Sequence, residues 1–140
     1  MKSRPALVAV AGLAVFLAGC SNTGSALGSG TTATVTIDGA AVDGTFPVRC
    51  HQAGWSWYIE TPDNKQGFSA ILDASGPMSA RAVQFHDFGG FTGSFWYDNI
   101  GEAEVTGENG QYTISGTADG NFTDNPSQAT SAQFRIQTNC

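Results

Sequence analysis

The chain has 140 residues, which is enough for one folded domain with a leader or tail and too few for two substantial domains. Twelve acidic residues against six basic ones give a formal net charge of −6, and no basic cluster follows Arg4. This argues against nucleic-acid binding and against electrostatic attraction to anionic membranes. The hydrophobic fraction of 41%, which includes nine Phe and three Trp, is sufficient to build a core.

The first twenty residues are organised as a signal peptide. Two basic residues precede the apolar run 6–17, which is shorter than the roughly 20 residues that a helix needs to cross a membrane. The run ends in Leu17-Ala18-Gly19-Cys20, which resembles the bacterial lipobox, where the cysteine is acylated and the preceding bond is cut. We predict a lipoprotein signal peptide at residues 1–19, cleavage between Gly19 and Cys20, and lipidation of Cys20. An ordinary secretory leader ending in Gly-Cys is the alternative.

Cleavage at this site changes the balance of charge and the mode of membrane attachment. The mature chain keeps four basic residues against twelve acids, a net charge of −8. Two or three acyl chains, at about 0.8 kcal/mol per buried CH₂, anchor a protein stably without any basic patch. Residues 20–32 follow as the acylated Cys and a Ser/Thr/Gly-rich tether with the composition of a flexible linker. We therefore expect a lipid-anchored protein on the extracytoplasmic face of the cell membrane, with cell-surface exposure as a further expectation.

Residues 33–140 have the pattern of an all-β domain. Apolar residues alternate with polar ones between clusters of Gly, Asn, Asp and Pro, which is typical of antiparallel strands and turns, and no segment has a clear helical period. Nine short strands in one domain favour a small antiparallel β-sandwich or half-open barrel. The predicted strands are Thr34–Asp38, Phe46–His51, Trp55–Thr61, Phe68–Asp73, Arg81–His86, Gly93–Tyr97, Glu102–Thr106, Gln111–Thr117 and Gln133–Asn139.

Two turn segments are informative in different ways. The strand Glu102–Thr106 is predicted to form a hairpin with Gln111–Thr117 through a turn that contains an Asn-Gly pair.

The segment Asp119–Asn125 is rich in oxygen ligands, but it has Asp124 where a calcium loop requires Gly, and no bidentate Glu follows. We interpret that segment as a solvated turn. Because CxxC and HExxH patterns are also missing, we predict no metal site and no cofactor.

Two cysteines remain once Cys20 is acylated. Strand parity places Cys50 on the same side as Phe46 and Val48, and Cys140 on the same side as the apolar residues of the last strand. An even pair in an exported protein predicts a Cys50–Cys140 disulfide, with two unpaired thiols as the alternative. The bond would close a loop of about 90 residues and stabilise the domain by about 4–5 kcal/mol.

Aromatic residues concentrate in the segments Trp55–Tyr58 and Phe85–Tyr97, the second of which also contains Gly89 and Gly90. Glycines allow close backbone approach, and aromatic rings can line a groove for sugar rings or acyl chains. The alternative is that these side chains belong to the core and to strand edges. The residues of the predicted ligand groove are Trp55, Trp57, Phe88, Phe91 and Trp96.

The sequence offers little for catalysis. His86 and Asp87 are neighbours on a predicted strand, so their side chains point to opposite faces unless a bulge or turn intervenes. His51 is the other histidine, and no nucleophile elbow accompanies them. We predict no catalytic residues, and convergence of His51, His86 and Asp87 on one cleft would contradict this.

The ordered set of features resembles the mycobacterial lipoprotein antigen family of the LpqH, or nineteen-kilodalton antigen, type. The resemblance covers essentially the whole mature chain, although the tether is shorter than is typical and the domain is richer in aromatics. It implies an acylated cell-envelope lipoprotein, often glycosylated on its tether, recognised by a host innate receptor through its lipid, with no established enzymatic activity. The features are the lipobox, the tether, Val35-Thr36-Ile37-Asp38-Gly39, Cys50, Tyr112-Thr113-Ile114-Ser115-Gly116-Thr117-Ala118, Asn125-Pro126 and Phe134-Arg135-Ile136…Cys140.

These observations lead to two functional hypotheses. The first is a non-enzymatic, lipid-anchored envelope lipoprotein that serves as a surface antigen or interaction module. The second is a carrier of a hydrophobic or glycolipid ligand in an aromatic-lined pocket. The expected partners are the membrane, through the acyl chains, and a host innate receptor or an envelope glycolipid, but no nucleic acid.

Overall fold

The computed structural model describes residues 31–140, which fold entirely into strands and turns. The predicted signal peptide, Gly19, Cys20 and all but the last two residues of the predicted tether lie outside the described residues. Thr32, the last residue of the predicted tether, is the first residue of β1. The strands are β1 Thr32–Ile37, β2 Ala40–Ala41, β3 Phe46–Pro47, β4 Arg49–Ala53, β5 Ser56–Glu60, β6 Gly67–Asp73, β7 Ser79–Phe88, β8 Phe91–Trp96, β9 Glu102–Glu108, β10 Gln111–Phe122 and β11 Asn125–Asn139.

The strands form one antiparallel sheet, so the predicted all-β class is confirmed. Its order is β2-β1-β11-β10-β8-β7-β6-β5-β4, with β3 also paired to β1 and β9 also paired to β10. Most neighbours in the sheet are consecutive in the chain, because short turns join antiparallel strands directly. The pairing of β1 with β11 joins the two ends of the described chain, with Thr32 opposite Asn139.

No hydrogen-bonded ladder joins the first strand of the sheet order to the last, so the sheet is not a closed barrel. It is nevertheless curled, because the short segment that contains β3 and β4 pairs with strands near both of its edges. β3 pairs with β1 at one margin, and β4 pairs with β5 at the other. Only Val48 separates β3 from β4; its side chain is buried and its N–H donates to the Thr31 carbonyl at 3.0 Å. The single strand predicted at Phe46–His51 is therefore two strands that bridge the margins at Val48.

The core fills the inside of the curled sheet. Phe85 lies at its centre, with its ring centroid 5.4 Å from that of Phe134 and 6.0 Å from that of Phe91 in edge-to-face contacts. Alternation along each strand brings one apolar row inward, as period-two patterning predicts. The largest fully buried side chains are Phe85, Phe91, Ile59, Leu72, Ile114, Ile136, Val35 and Val83.

The predicted hairpin between β9 and β10 is confirmed, with Thr106 opposite Thr113 and Glu108 opposite Gln111. Asn109 and Gly110 have φ angles of 55° and 82°, and two positive values are what a two-residue type I′ turn requires. The Asn-Gly pair therefore sets the register of this hairpin.

The interpretation of Asp119–Asn125 as a turn is wrong for most of the segment. β10 continues through Phe122, the turn is confined to residues 123–124, and β11 already begins at Asn125. Residues 125–129 are exposed in the structure. Because they bury no apolar row, the sequence there has no alternation that would mark a strand.

The disulfide between Cys50 and Cys140 is present, with the Cα atoms 5.9 Å apart. Both residues lie on core-facing positions, as parity predicted, and pack against the core as half-buried side chains. The Cys140 N–H donates to the Gly110 carbonyl at 2.6 Å. The bond thus joins β4, at one margin of the sheet, to the end of β11, next to the other.

Removing the disulfide should weaken the domain markedly. We expect the double variant Cys50→Ala/Cys140→Ala to lose about 4–5 kcal/mol of unfolding free energy, because the unfolded chain is no longer constrained by a loop of about 90 residues. That is a large share of the 5–15 kcal/mol typical of a domain. Urea unfolding followed by fluorescence measures it.

Reductant provides the matched control for this experiment. It should lower the urea midpoint of the unaltered protein and leave that of the double variant unchanged. A midpoint that does not respond to reductant in the unaltered protein would contradict the assigned contribution of the bond.

Candidate functional site

A cleft of about 650 Å³ opens where β1 ends and the β7–β8 turn lies. Its volume is within the 300–1,000 Å³ range of small-molecule sites. Three chain segments form it: the β2–β3 connection, the β5–β6 connection and the end of β7. The lining residues are Ala41, Val42, Asp43, Phe46, Pro47, Thr61, Pro62, Asp63, Gln66, Asp87, Phe88 and Gly89.

The floor of the cleft is apolar and rigidly supported. The Phe88 ring is buried and lies 4.7 Å from the Phe46 ring and 5.7 Å from the Phe68 ring, measured between centroids. Val42 is held at the side because its N–H donates to the Val35 carbonyl at 2.9 Å. The core thus continues into the cleft as an accessible apolar surface.

Gly89 shapes the wall opposite Val42. Its φ is 60°, a left-handed conformation that suits glycine, and a Cβ there would come within 2.7 Å of the Val42 Cγ2 atom. The β7–β8 turn can therefore approach the β2–β3 connection closely. Of the two glycines expected to permit close approach to a ligand, Gly89 instead permits close approach between two parts of the chain, and a Cβ at Gly90 would meet nothing within 4 Å.

Three carboxylates, of Asp43, Asp63 and Asp87, line the rim. The Asp87 carboxylate accepts hydrogen bonds from Gln66 Nε2 at 3.1 Å and Thr123 Oγ1 at 2.9 Å. Those two bonds, Gln66 first, lower the pKa of Asp87 below its ordinary value, since they favour the charged form. Asp87 therefore ties the β5–β6 connection to the β10–β11 turn as a charged group.

Asp63 organises the other side of the rim. Its carboxylate accepts the Lys65 N–H at 2.8 Å and so stabilises the tight β5–β6 connection. The Thr61 hydroxyl below it is buried and accepts the Phe68 N–H at 3.0 Å. An apolar floor with a rim of carboxylates and amides suits an amphiphile whose polar head stays at the opening.

The histidines do not converge with Asp87 on this cleft. His51 stacks on Tyr58, with ring centroids 4.8 Å apart, on β4 and β5. His86 is exposed on β7, where it pairs with Gly67 of β6, and the register shift between Phe85 and Phe88 leaves it without a paired residue on β8. The hydrogen bonds of the Asp87 side chain go to Gln66 and Thr123 rather than to an imidazole.

The five residues of the predicted ligand groove do not come together as one groove. Phe88 lines the cleft, whereas Phe91 is buried between Phe85 and Phe122. Trp57 is half-buried opposite Leu72, and Trp55 and Trp96 are exposed. The alternative, that these aromatics are core and edge residues, describes Phe91 and Trp57 correctly.

Sequence reasoning missed most of the cleft. Val42 and Pro62 lie in connections between strands, and for Phe46 the sequence predicts only a strand position on the same side as Cys50. Apolar residues such as Val42 between turn-forming Gly and Asp residues were a usable signal, since solvent-exposed connections rarely need them. These residues come together only because the sheet curls, and no local sequence pattern encodes that curvature.

A second feature, which we name the aromatic strip, consists of Trp55, Trp96, Tyr97 and Ile100. Their exposed fractions are 69%, 42%, 49% and 38%. The Ala74 N–H donates to the Trp55 carbonyl at 2.7 Å, and the Tyr97 N–H donates to the Arg81 carbonyl at 3.0 Å. These contacts connect both ends of the strip to the β6–β7 hairpin.

An ion pair lies between the two aromatic ends of the strip. Arg81 donates to Asp73 Oδ2 from two nitrogens, at 2.7 and 3.0 Å, and its guanidinium lies 4.8 Å from the centroid of the Tyr97 ring. Hydrogen bonds from Ser75, followed by the bond to Arg81, lower the pKa of Asp73 from 3.8 to about 2. The strip therefore combines exposed rings with an internally neutralised pair of charges.

Two further properties concern the part of the chain that the structure describes. Among residues 31–140, no three His, Cys, Asp or Glu side chains are grouped so that they can hold a metal ion. In the same range no helix is long and apolar enough to cross a membrane.

Comparison with known proteins gives consistent matches. Residues 26–140 match the family described as Mycobacterium 19 kDa lipoprotein antigen. The chain is 35% identical to a protein of Mycobacterium avium subsp. hominissuis named "Putative lipoprotein", over 96% of this chain and 93% of the relative. It is 33% identical to a protein of the same name from Mycobacterium indicus pranii, over 78% of each chain. It is also 31% identical to "Probable lipoprotein LppE" of Mycobacterium tuberculosis, over 77% of each chain.

The lowered pKa values of Asp73 and Asp87 predict acid sensitivity. A carboxylate with a depressed folded-state pKa stabilises the fold above its ordinary pKa and loses that contribution as the pH falls toward the folded-state value. Between the ordinary value of 3.8 and about 2, the thermal midpoint should therefore decline. Asp73→Asn should flatten that decline, with a smaller effect for Asp87→Asn.

Asp43→Asn, at the rim of the cleft, removes one carboxylate in the same way and is the charge-matched control with which the Asp73→Asn slope is compared. Calorimetry from pH 5 to pH 2 measures all four proteins. An Asp73→Asn slope equal to that of the unaltered protein would show that the carboxylate does not contribute as described.

Proposed function

The chain belongs to the Mycobacterium 19 kDa lipoprotein antigen family, and from this we propose that it is a non-enzymatic cell-envelope lipoprotein, anchored by acyl chains on Cys20. The observation that carries the proposal is the arrangement of the chain. A lipobox precedes a disulfide-closed β domain, and that domain starts at Thr32, a short distance after the predicted lipidated cysteine. The domain is presented outside the membrane as an antigen or interaction module.

The stability of the domain supports this role. The disulfide and the long pairing of β1 with β11 hold both ends of the described chain together at one place. A module closed by a disulfide suits an exposed environment in which thiols are oxidised. A host innate receptor that recognises the acyl chains, and an envelope glycolipid, are the partners that we propose.

Replacing Cys20 tests the anchoring proposal. Cys20→Ala removes the thiol that receives the lipid, so the protein should accumulate as uncut precursor or leave the membrane fraction. Membrane fractionation and intact-mass measurement distinguish these outcomes from an acylated mature protein, and processing of the unaltered protein should be sensitive to globomycin.

Ser21→Ala, one residue beyond the predicted lipidated cysteine, is the matched control and should be processed normally. Unchanged fractionation of Cys20→Ala, together with globomycin-insensitive processing, would rule out lipid anchoring at this residue.

A second candidate function is supported by the cleft. We propose that the domain carries a hydrophobic ligand there, because the floor formed by Phe46 and Phe88 and the side formed by Val42 are apolar, and the volume of about 650 Å³ accommodates a small amphiphile. The carboxylates at the rim favour a head group that carries hydroxyls or a positive charge over an anionic one.

Native mass spectrometry tests the carrier function on the full chain carrying Cys20→Ala, which has no acyl chains of its own. A carrier retains a lipid adduct, and Val42→Trp should abolish it by filling the cleft. Thr34→Trp adds the same bulk at an exposed position of β1 and should leave the adduct in place. A bare mass for the parent protein would reject the carrier function.

A further inference from the structure

We propose that the aromatic strip is a membrane-contact surface, which seats the domain on the phospholipid bilayer that holds its acyl chains. The inference rests on the proposed lipid anchor at Cys20 and adds to it an orientation of the domain. Trp and Tyr side chains favour the boundary between hydrocarbon and head groups, because each has an apolar body and a polar atom. The strip supplies two Trp, one Tyr and one Ile at its exposed positions.

The position of Trp55 relative to the chain entry is the first argument. β3 and β4 run antiparallel to β1, and Val48 lies next to Thr31, where the described chain begins. β4 therefore continues past the first residue of β1 to Ala53, and Trp55 lies in the turn that follows. Trp55 is thus found at the end of the domain at which the tether enters.

The length of the preceding chain is the second argument. The eleven residues that follow Cys20 up to Thr31 span at most about 40 Å, since an extended chain covers about 3.3–3.6 Å per residue. The domain is therefore confined near the lipid surface. Tethering gives the domain an effective concentration in the millimolar range at the lipid surface. A surface patch that binds lipid too weakly to attach a free protein therefore still contacts the membrane.

The distribution of charge is the third argument. The end of the domain that bears the cleft carries five carboxylates with Lys65 as the one basic residue among its turns: Asp38, Asp43, Asp63, Asp87 and Asp124. At the end where the tether enters, Asp73 is neutralised by Arg81, which leaves Asp98, Glu108 and the C-terminal carboxylate of Cys140 as the negative groups near the described turns. The end with five carboxylates is therefore repelled more strongly by lipid phosphates, which favours contact through the strip.

Depth-resolved fluorescence quenching tests the orientation. The acylated mature protein is reconstituted into phosphatidylcholine vesicles that contain lipid with brominated acyl chains. Trp57→Phe/Trp96→Phe leaves Trp55 as the single reporter, and its emission should shift to shorter wavelength and fall about twofold, as expected for an interfacial indole. The control reporter is Asp124→Trp in a Trp55→Phe/Trp57→Phe/Trp96→Phe background, on the cleft end, and it should be unaffected.

Flotation of the same vesicles separates this proposal from the anchor on which it rests. Protein that floats while Trp55 is quenched no more than the Asp124→Trp reporter overturns the orientation and leaves the anchor intact. Protein that does not float overturns both. Equal quenching of the two reporters shows a domain without fixed orientation and also overturns the proposal.

A second copy of the chain is the competing occupant of the strip. Analytical ultracentrifugation of the acylated protein in detergent should give a monomer at all concentrations if the strip faces lipid. A concentration-dependent dimer that Trp55→Ser/Tyr97→Ser dissolves would assign the strip to self-association instead and would overturn the membrane contact.

Discussion

The structure depends on closing a sheet that hydrogen bonds alone leave open. The segment around Val48 pairs with β1 on one side and with β5 on the other, and the Cys50–Cys140 bond lies beside this junction. Without that closure, the inward faces of β4 and β5 would separate from those of β1 and β11, and the buried Phe and Ile side chains between them would be exposed to water. Apolar burial is the main favourable contribution to folding, so the junction protects most of the stability of the domain.

The same closure creates the cleft. Because the sheet curls instead of lying flat, the β2–β3 connection reaches the β7–β8 turn, and Phe46 meets Phe88. The cleft is therefore a continuation of the core and not a separate surface depression. Its polar rim depends on Asp87, whose φ of 43° is uncommon for a residue other than glycine and is tolerated better by Asp than by most side chains. Two hydrogen bonds to its carboxylate hold it in that conformation.

The sequence predicted what local patterns encode. Period-two alternation gave the class, most of the strands and the inward side of Cys50, and the Asn-Gly pair gave the β9–β10 turn. Prediction from the sequence failed for features that depend on contacts between residues far apart in the chain. The outer part of the β10–β11 hairpin buries no apolar row, so Asp119–Asn125 resembled a turn. The aromatic residues could be counted but not placed, because the face that Trp57 or Phe91 occupies depends on strand pairing and on register shifts in β7.

The pairing of β1 with β11 has a consequence for the biogenesis of the protein. A lipoprotein is exported from its N-terminus, so β1 leaves the translocation channel first and β11 last. Apart from the two-residue strands β2 and β3, β1 has no partner in the sheet until β11 arrives. Contacts between such distant parts of a chain form slowly. During that interval β1 has unpaired edges, and unpaired strand edges are templates for pairing with another chain.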